Sequence, residues 1–441
     1  MAGGSTTAAA AVPGGARWQF VKGTAGYRTY KTVGVALLVV LLVLIAFAYN
    51  DTASVTLLDN DYSLSLPRII KAISFMVAIL GLQVVAGFTG QLSLGQGFFF
   101  GTGAYLSAWL VADQNWNFFT ALLVVVPVCF VLGMAFGIPA LRIRGLYLAL
   151  VTLALAAIFP SLVQLESLKD YTNGAGGKIV DYDFEAPEFL PLDGIANFLQ
   201  GFPLVGQYFG DGDLSSREAN RVWLFFLMVV LAWICFKMVS NLVQSRPGRA
   251  LRAVRDNETS AAVSGINLSL YKTMSFGVAS ALGGVGGVIY VAELGIAAPL
   301  DFTNLLSILF IVGLVVGGVG TLSGAVIGGL VIAFLPQWAS DTQSFPGIPE
   351  RWLQGPVGNL IMGILLIVIT FVLPGGIIAG VRRLRARFVQ VLPEPPAKLA
   401  AQLAALAGGG ATMAQPPEPT HDDVSDGTTV ASEDTPASST T

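Results

Sequence analysis

The sequence has few side chains that could carry metal or covalent chemistry. Among its 441 residues there are two cysteines and one histidine, and charged residues make up only 12%. Cys129 and Cys235 each lie inside an apolar run, so we interpret them as small hydrophobic residues rather than as a disulfide or a metal site. The single histidine, His421, lies in the C-terminal tail. This composition excludes His-rich metal chemistry, predicts no metal ligand and no catalytic residue, and argues against a hydrolase.

The sequence also lacks a nucleotide-binding loop. No G-x-x-x-x-G-K-[ST] stretch occurs in it, and the glycine-rich backbone and lysine of that motif are what hold nucleotide phosphates. We therefore predict no ATP site and no other cofactor in this chain. A cleavable signal peptide is not predicted either, because the first apolar run begins near Thr32 without a small-residue cleavage site.

Apolar residues dominate what is present. Hydrophobic residues make up 54% of the chain, and there are 51 glycines. A helix needs about 20 apolar residues to cross about 30 Å of hydrocarbon, and roughly ten runs approach that length. We predict an all-α, polytopic transmembrane helical bundle with spans at about residues 32–49, 69–87, 97–112, 118–139, 147–165, 222–243, 274–292, 305–318, 321–338 and 357–371. The two shortest runs, near residues 97 and 305, could instead be re-entrant or broken helices.

Charges between the runs predict the side of the membrane that each loop faces. Lysine and arginine are enriched in cytoplasmic loops. Because basic residues precede the first run and follow the last, we predict that the N- and C-termini are cytoplasmic. The acidic insert 166–221 is then extracytoplasmic, and the basic loop 247–272 is cytoplasmic. Arg68 and Lys71 are basic although they lie at the predicted outer end of the second run, which is contrary to this rule. We interpret them as a pair whose long side chains snorkel to the membrane interface.

These assignments divide the chain into three regions. Residues 1–31 are predicted to be a cytoplasmic, largely disordered N-terminus, and residues 32–373 to be the membrane domain. Residues 374–441 are predicted to be a cytoplasmic tail, first basic and then acidic. The tail is rich in proline, alanine and threonine, and it has too little apolar content to pack into a core, so it is predicted to be disordered.

The cytoplasmic loop 247–272 is predicted to contain a short amphipathic helix. Four polar residues at three- and four-residue steps share one face: Arg249, Arg252, Asp256 and Thr259. The other face is apolar and made mostly of small side chains: Leu251, Val254, Ala261 and Ala262. A helix with a shallow apolar stripe can dock in a groove on another protein. The alternative is an ordinary cytoplasmic loop.

Residues 87–97 are polar and glycine-rich at a depth where the membrane is expected. Because unsatisfied backbone groups are costly in lipid, this segment must be buried in protein or line a cavity. We predict that Ser93 caps the helix that follows, leaving the N–H groups of Gly95 and Gln96 free at a positive dipole end. Broken helices of this kind hold carboxylates in many transporters. A tight cytoplasmic turn is the alternative.

Two further features lie in the predicted spans. Thr152, in an otherwise apolar helix, either faces the same path or bonds the preceding turn of its own helix. Glycines four residues apart, which let helices approach closely, occur at Gly283/Gly287, Gly313/Gly317 and Gly320/Gly324/Gly328. The stretch 318–324 faintly echoes 90–95, so an internal repeat of transporter type is a hypothesis.

Several of these stretches resemble the integral-membrane permease subunits of ABC importers of the branched-chain amino acid family. The loop carries G-R-A-L-R-A-x-R-x-x-E at 248–258, followed by Ala261, Ala262, G-I-N at 265–267 and Tyr271-Lys272. The polar, glycine-rich segment carries G-x-x-G-Q-x-S-L-G at 87–95, followed by F-F-G-x-G-A-Y at 99–105. A third match, L-R-x-R-G-x-Y, spans 141–147. The resemblance covers about residues 69–373.

The resemblance implies a multi-pass permease subunit of the cell membrane, which is not itself an enzyme. Its implied partners are two ATP-binding subunits, a second related permease subunit and an extracytoplasmic substrate-binding protein, with no nucleic acid. The implied ATPase-coupling residues are Arg249, Arg252, Arg255, Asp256, Glu258, Ala261, Ala262 and Gly265. The candidate residues of the substrate path are Thr89, Gly90, Gln91, Ser93, Gly95, Gln96 and Thr152.

The implied substrates are leucine, isoleucine and valine, and two alternatives stay open. The same family architecture also serves urea and short amides, so a permease for those solutes is one alternative. An ion-coupled secondary carrier is an alternative from another class of protein. The predicted spans offer no obvious acidic residue for ion coupling, which argues against the carrier.

Overall fold

The computed structural model describes residues 18–21, 43, 53–57, 60–141, 145–182, 184–185, 216–341, 363–364, 367–368, 371–372 and 375–392. Several sequence predictions lie largely or wholly outside these residues. They are the disordered N-terminus 1–31, the first span 32–49, the last span 357–371 and the tail beyond residue 392. The acidic insert 166–221 is described only at its two ends.

Most of the described chain is helical, as predicted. The helices are α1 Leu66–Leu82, α2 Gln96–Ala112, α3 Phe118–Gly137, α4 Leu146–Leu162, α5 Lys169–Thr172, α6 Ser216–Gln244, α7 Arg246–Asp256, α8 Glu258–Val263, α9 Leu268–Leu294, α10 Asn304–Gly317, α11 Leu322–Asp341 and α12 Ile377–Phe388. A π-helical segment, Gln83–Phe88, continues α1. Short 3-10 helices cover Pro139–Leu141, Glu166–Leu168, Gly174–Gly176 and Pro299–Phe302.

Three small pairs of strands accompany the helices. β1 (Trp18–Val21) runs parallel to β6 (Val389–Leu392). β2 (Ala53–Leu57) is antiparallel to β3 (Asn60–Leu64), with Val55 opposite Tyr62. β4 (Lys178–Ile179) is antiparallel to β5 (Ile296–Ala297).

The described helices include clear candidates for membrane spans. Four are long and apolar enough to cross a bilayer: Leu66–Phe88, Phe118–Gly137, Ser216–Gln244 and Leu268–Leu294. A fifth arises if Tyr147–Leu162 and Glu166–Thr172, which are bent by 72° at their junction, form one span. Asn304–Gly317 and Leu322–Pro336 are shorter apolar helices. The chain is thus a helical membrane protein, while the ten spans and the cytoplasmic termini stay predictions.

Helix α9 lies at the centre of the described bundle and packs against α1, α2 and α3. Its small residues make this possible. A Cβ at Gly287 would collide with the backbone of Phe100, and one at Gly284 would collide with Cys129. The α10–α11 pair packs in the same way, because a Cβ at Gly317 would meet the Gly324 carbonyl. The glycine spacing in the sequence therefore marks close helix packing.

Helices α3 and α6 present large apolar side chains to the outside of the bundle. Leu123 is 74% exposed and Val131 is 62% exposed on α3, while Trp233 and Met238 are similarly exposed on α6. A soluble protein would rarely expose so large an apolar surface. In a membrane protein such residues face the lipid chains.

Candidate functional site

The glycine-rich segment 87–97 is a break between two helices. The π-helical end of α1 stops at Phe88, residues 89–95 have no regular structure, and α2 begins at Gln96. The residue that caps α2 is Gly95, so the prediction that Ser93 caps it is wrong. The Ser93 hydroxyl oxygen lies 3.4 Å from the Gly95 nitrogen, and this distance is too long for a strong hydrogen bond.

Side chains from other helices satisfy much of the backbone at this break. The Leu94 N–H donates to Thr152 Oγ1 at 2.8 Å, and the Gly97 N–H donates to Ser307 Oγ at 2.8 Å. Within the segment, Thr89 Oγ1 donates to the Val84 carbonyl at 2.9 Å. The break is therefore held in place from α4 and α10. Sequence reasoning missed Ser307, because nothing in its own apolar run marks it.

Two glutamines of the break have different environments. The Gln96 side-chain amide donates to the carbonyls of Ala78 at 2.9 Å and Ala279 at 3.1 Å, so it ties α2 to α1 and α9. The Gln91 side chain is 8% exposed, and within the described residues neither its amide nitrogen nor its carbonyl oxygen has a partner. Leaving a buried polar group unpaired costs about 1–3 kcal/mol. Within the described residues, Gln91 is thus a side chain of the break whose polar atoms are free to form hydrogen bonds.

Thr152 has a positioning role. Its hydroxyl lies 3.0 Å from the carbonyls of both Leu148 and Ala149, in the preceding turn of α4, and it accepts the Leu94 N–H. The alternative that Thr152 bonds the preceding turn of its own helix is confirmed, and the alternative that it faces a substrate path stays a prediction. The side chain bonds its own helix and also contacts the break.

The phenylalanines that follow the break belong to the packed interior. Phe98 is 7%, Phe99 3% and Phe100 0% exposed. Phe98 packs edge-on against Phe159 with ring centroids 5.5 Å apart, and Phe100 lies 5.5 Å from Tyr290. These rings fix the start of α2 against its neighbours.

A second break lies beside the first. Residues 318–321 separate α10 from α11, and Gln83 connects them to the end of α1. Its amide donates to the Gly318 carbonyl at 3.0 Å, and its side-chain oxygen accepts the Gly320 N–H at 2.7 Å. The second of the two stretches that faintly echo each other in sequence thus lies against the helical segment that leads into the first. Whether they form a repeat stays a hypothesis.

The loop 247–272 folds as two short helices, α7 and α8, and its apolar face is turned inward. Leu251 is 3%, Val254 1% and Ala261 4% exposed. The interpretation that this stripe docks in a groove of a partner is therefore wrong, because the stripe packs against this chain. Of the candidate coupling residues, those exposed are Arg249, Arg252, Arg255, Asp256, Ala262 and Gly265.

Three charged residues of the loop fasten it to the bundle. Arg252 donates to the Val243 carbonyl at 3.2 Å and the Gly248 carbonyl at 3.3 Å, which fixes α7 to the end of α6. Glu258 forms a salt bridge of 2.6 Å with Lys272, whose side chain is 6% exposed. Neither contact was evident from helical spacing.

Arg255 joins the loop to the first break. Its guanidinium donates to the Gly87 carbonyl at 2.5 Å, at the last turn before residues 89–95. Gly90 has φ of +75°, a region that favours glycine, and a Cβ there would lie 3.1 Å from Arg255 Cγ. The candidate coupling residues and the candidate path residues therefore meet at Arg255.

Known transport proteins are similar to this chain over most of its membrane domain. Residues 67–370 match the family model described as branched-chain amino acid transport system, permease component. The high-affinity branched-chain amino acid transport system permease protein LivM of Escherichia coli strain K12 is 28% identical over 273 residues, which is 62% of this chain and 62% of LivM. LivH of the same strain is 22% identical over 320 residues, 69% of this chain and 91% of LivH. No solved structure matches this chain.

We expect Thr152→Val to destabilise the protein, because the substitution keeps the shape but leaves the Leu94 N–H without an acceptor. The expected cost is about 1–3 kcal/mol. Thr152→Ser, which retains the hydroxyl, is the matched control. Thermal unfolding of the purified chain in detergent measures the effect. The valine variant should unfold at a lower temperature than both the serine variant and the wild type. Equal stability of the valine variant would mean that the hydroxyl does not hold the break.

Proposed function

Because this chain belongs to the family of branched-chain amino acid transport permease components, we propose that it forms part of the translocation path of an ATP-driven importer for leucine, isoleucine and valine. The chain spans 62% of the length of the LivM relative, so its substrates and partners are part of this proposal. As a transport permease subunit, it belongs to no enzyme class. The plasma membrane is the proposed location.

The hydrogen bond between Arg255 and the Gly87 carbonyl carries the proposal. An importer driven by a separate ATPase needs a rigid connection between the surface that the ATPase moves and the segment that opens the path. Here α7 is fixed by Arg252 to α6 and by Arg255 to the break. A displacement of the loop would therefore move the backbone at residues 87–90. Switching requires an element with two arrangements that both sites bias, and we propose that the loop and the break form that element.

We propose that two ATP-binding subunits bind the outward side of the loop and that ATP is bound by those subunits. The polar face of α7 offers Arg249 and Asp256, and α8 adds Ala262 and Val263. Val263 is 86% exposed and Leu270, at the start of α9, is 48% exposed. An apolar centre with a charged rim is typical of a protein interface. A second related permease subunit and an extracytoplasmic binding protein complete the proposed assembly.

The break is the proposed inner part of the substrate path. Its members are Thr89, Gly90, Gln91, Ser93, Gly95, Gln96 and Thr152. Of these, Gln91 contributes an amide without a partner in the described structure, and Thr152 positions the backbone. The backbone N–H of Gln96, in the first turn of α2, lies at the positive end of that helix dipole and favours a carboxylate. Binding by backbone dipoles and one amide is weak, which suits a conduit that must release its cargo.

Uptake by the assembled transporter tests the proposal. The full-length chain is purified from its native membrane with the proteins that it binds and is reconstituted in liposomes that contain ATP. We expect uptake of radiolabelled leucine that requires hydrolysable ATP and that excess isoleucine or valine suppresses. Uptake of urea or acetamide instead would favour the alternative substrate class. Uptake driven by a proton or sodium gradient without ATP would favour the ion-coupled carrier and contradict the proposal.

Val263→Asp should weaken binding of the ATPase, because it places a charge in the apolar centre of the proposed interface. Loss of a central interface residue costs about 2 kcal/mol or more, so we expect affinity to fall by a factor of about 30. Ile179→Asp is the control, since Ile179 is 71% exposed but lies on β4, which pairs with β5 at the end of α9 opposite the loop. Pull-down of the ATPase by each purified variant measures the effect. Normal recovery with Val263→Asp would show that the ATPase binds elsewhere.

A further inference from the structure

Lys71 lies inside the first described span, one turn after the start of α1. The sequence suggested that its side chain snorkels to the membrane interface. The structure places its ammonium group over two aromatic rings of the bundle, 5.8 Å from the centroid of Phe75 and 5.7 Å from that of Tyr290. A lysine inside a membrane protein is costly and usually marks a substrate or ion pathway. Lys71 has no role in the function proposed above.

Asp301 supplies the opposite charge in the same place. It lies in the short helix Pro299–Phe302, which connects β5 to α10. Its carboxylate interacts electrostatically with Lys71, and Tyr290 lies close to both residues. Burial raises the pKa of the Asp301 carboxyl, and the Lys71 ammonium opposes that rise. Within the described residues, Lys71 and Asp301 do not form a direct salt bridge, so a gap separates the two charges.

A cavity of about 290 Å³ lies next to both charged residues. Lys71 and Asp301 line it together with apolar side chains, which include Phe75, Leu305, Leu306 and Ile332. Since liquid water takes about 30 Å³ per molecule, the cavity has room for about ten non-hydrogen atoms. That is the size of a small free amino acid. It is close to the lower limit of about 300 Å³ for small-molecule sites in proteins.

We propose that this cavity binds the zwitterionic head of a free aliphatic amino acid, with Lys71 holding its carboxylate and Asp301 its ammonium group. The proposal rests on the proposed function and names the place where the transported solute first binds in this chain. The side chains of Leu305, Leu306 and Ile332 would surround the aliphatic part of the ligand. Two separate opposite charges can each pair with one charged group of a zwitterion. A neutral solute such as urea has no charged group to pair with either of them.

The position of the cavity fits such a role. Lys71 and Gly87 lie on one continuous helical segment, about 24 Å apart at 1.5 Å per residue. The Lys71 cavity is therefore at the opposite end of α1 from Arg255 and the coupling loop. A solute that enters at the Lys71 end would pass along α1 and α9 towards the break. The charged site would select the solute, and the weaker inner segment would release it.

Ligands that lack one charge test the assignment of each residue. The full-length chain is purified in lipid nanodiscs, and the affinities of leucine, 4-methylpentanoate and 3-methylbutylamine are measured by calorimetry. The acid lacks the ammonium group, and the amine lacks the carboxylate. We expect Lys71→Met to weaken leucine and the acid by about tenfold or more and to leave the amine unchanged. Asp301→Asn should weaken leucine and the amine and leave the acid unchanged.

Control variants separate this role from a structural one. Lys71→Arg keeps the charge and should retain most of the affinity for the acid, and Lys169→Met, at an exposed lysine, should change nothing. The proposal is overturned if the wild type binds none of the three ligands, if both variants bind leucine normally, or if each variant weakens all three ligands equally. None of these results depends on ATP or on partner subunits. Uptake of leucine with normal affinity by Lys71→Met transporters would likewise reject this site while leaving the proposed function intact.

Discussion

Backbone polar groups at the two helix breaks must find partners inside the protein, and the rest of the structure depends on this constraint. Lipid offers no hydrogen bonds, so an irregular segment survives in a membrane only when it is enclosed by protein. Here Gln83 forms hydrogen bonds with the backbone of the turn after α10, while Thr152 and Ser307 accept hydrogen bonds from the backbone at the start of α2. Each of these side chains comes from a different helix. Bringing the helices close enough for such contacts in turn requires the glycines of α9, α10 and α11.

The same constraint ties a surface loop to the interior. The carbonyl of Gly87 accepts a hydrogen bond from Arg255, a residue of the loop. The apolar face of α7 packs inward, so the loop is fastened to the bundle by its buried side chains as well as by Arg255. Its opposite face is exposed, and it is the face that we propose for the ATPase. At the far end of α1, the cavity between Lys71 and Asp301 offers charge where the break offers only dipoles and an amide.

The sequence allowed the helical membrane fold and the break at 87–97 to be predicted, because long apolar runs and clustered glycines are local signals. It could not reveal partners that depend on tertiary structure. Gln83 and Gly320 are 237 residues apart, and Gly97 and Ser307 are 210 apart. Ser93 was expected to cap α2 from local spacing alone, but Gly95 takes that position. The apolar stripe of the loop was visible in the sequence, but the sequence did not show that the stripe packs against this chain. Lys71 was recognised as an exception to the charge rule, and only the fold places Asp301 beside it.

The number of leucine molecules imported per ATP hydrolysed tests most directly whether Arg255 connects the loop to the path. The measurement compares the reconstituted wild type with Arg255→Gln and with Lys169→Gln, at an exposed lysine outside the loop. Arg255→Gln removes the guanidinium that bonds to Gly87 and keeps a polar side chain at that position. The account predicts that Arg255→Gln hydrolyses ATP at a rate near that of the wild type but imports less leucine per ATP, while Lys169→Gln keeps the normal ratio. An unchanged ratio in Arg255→Gln would contradict it.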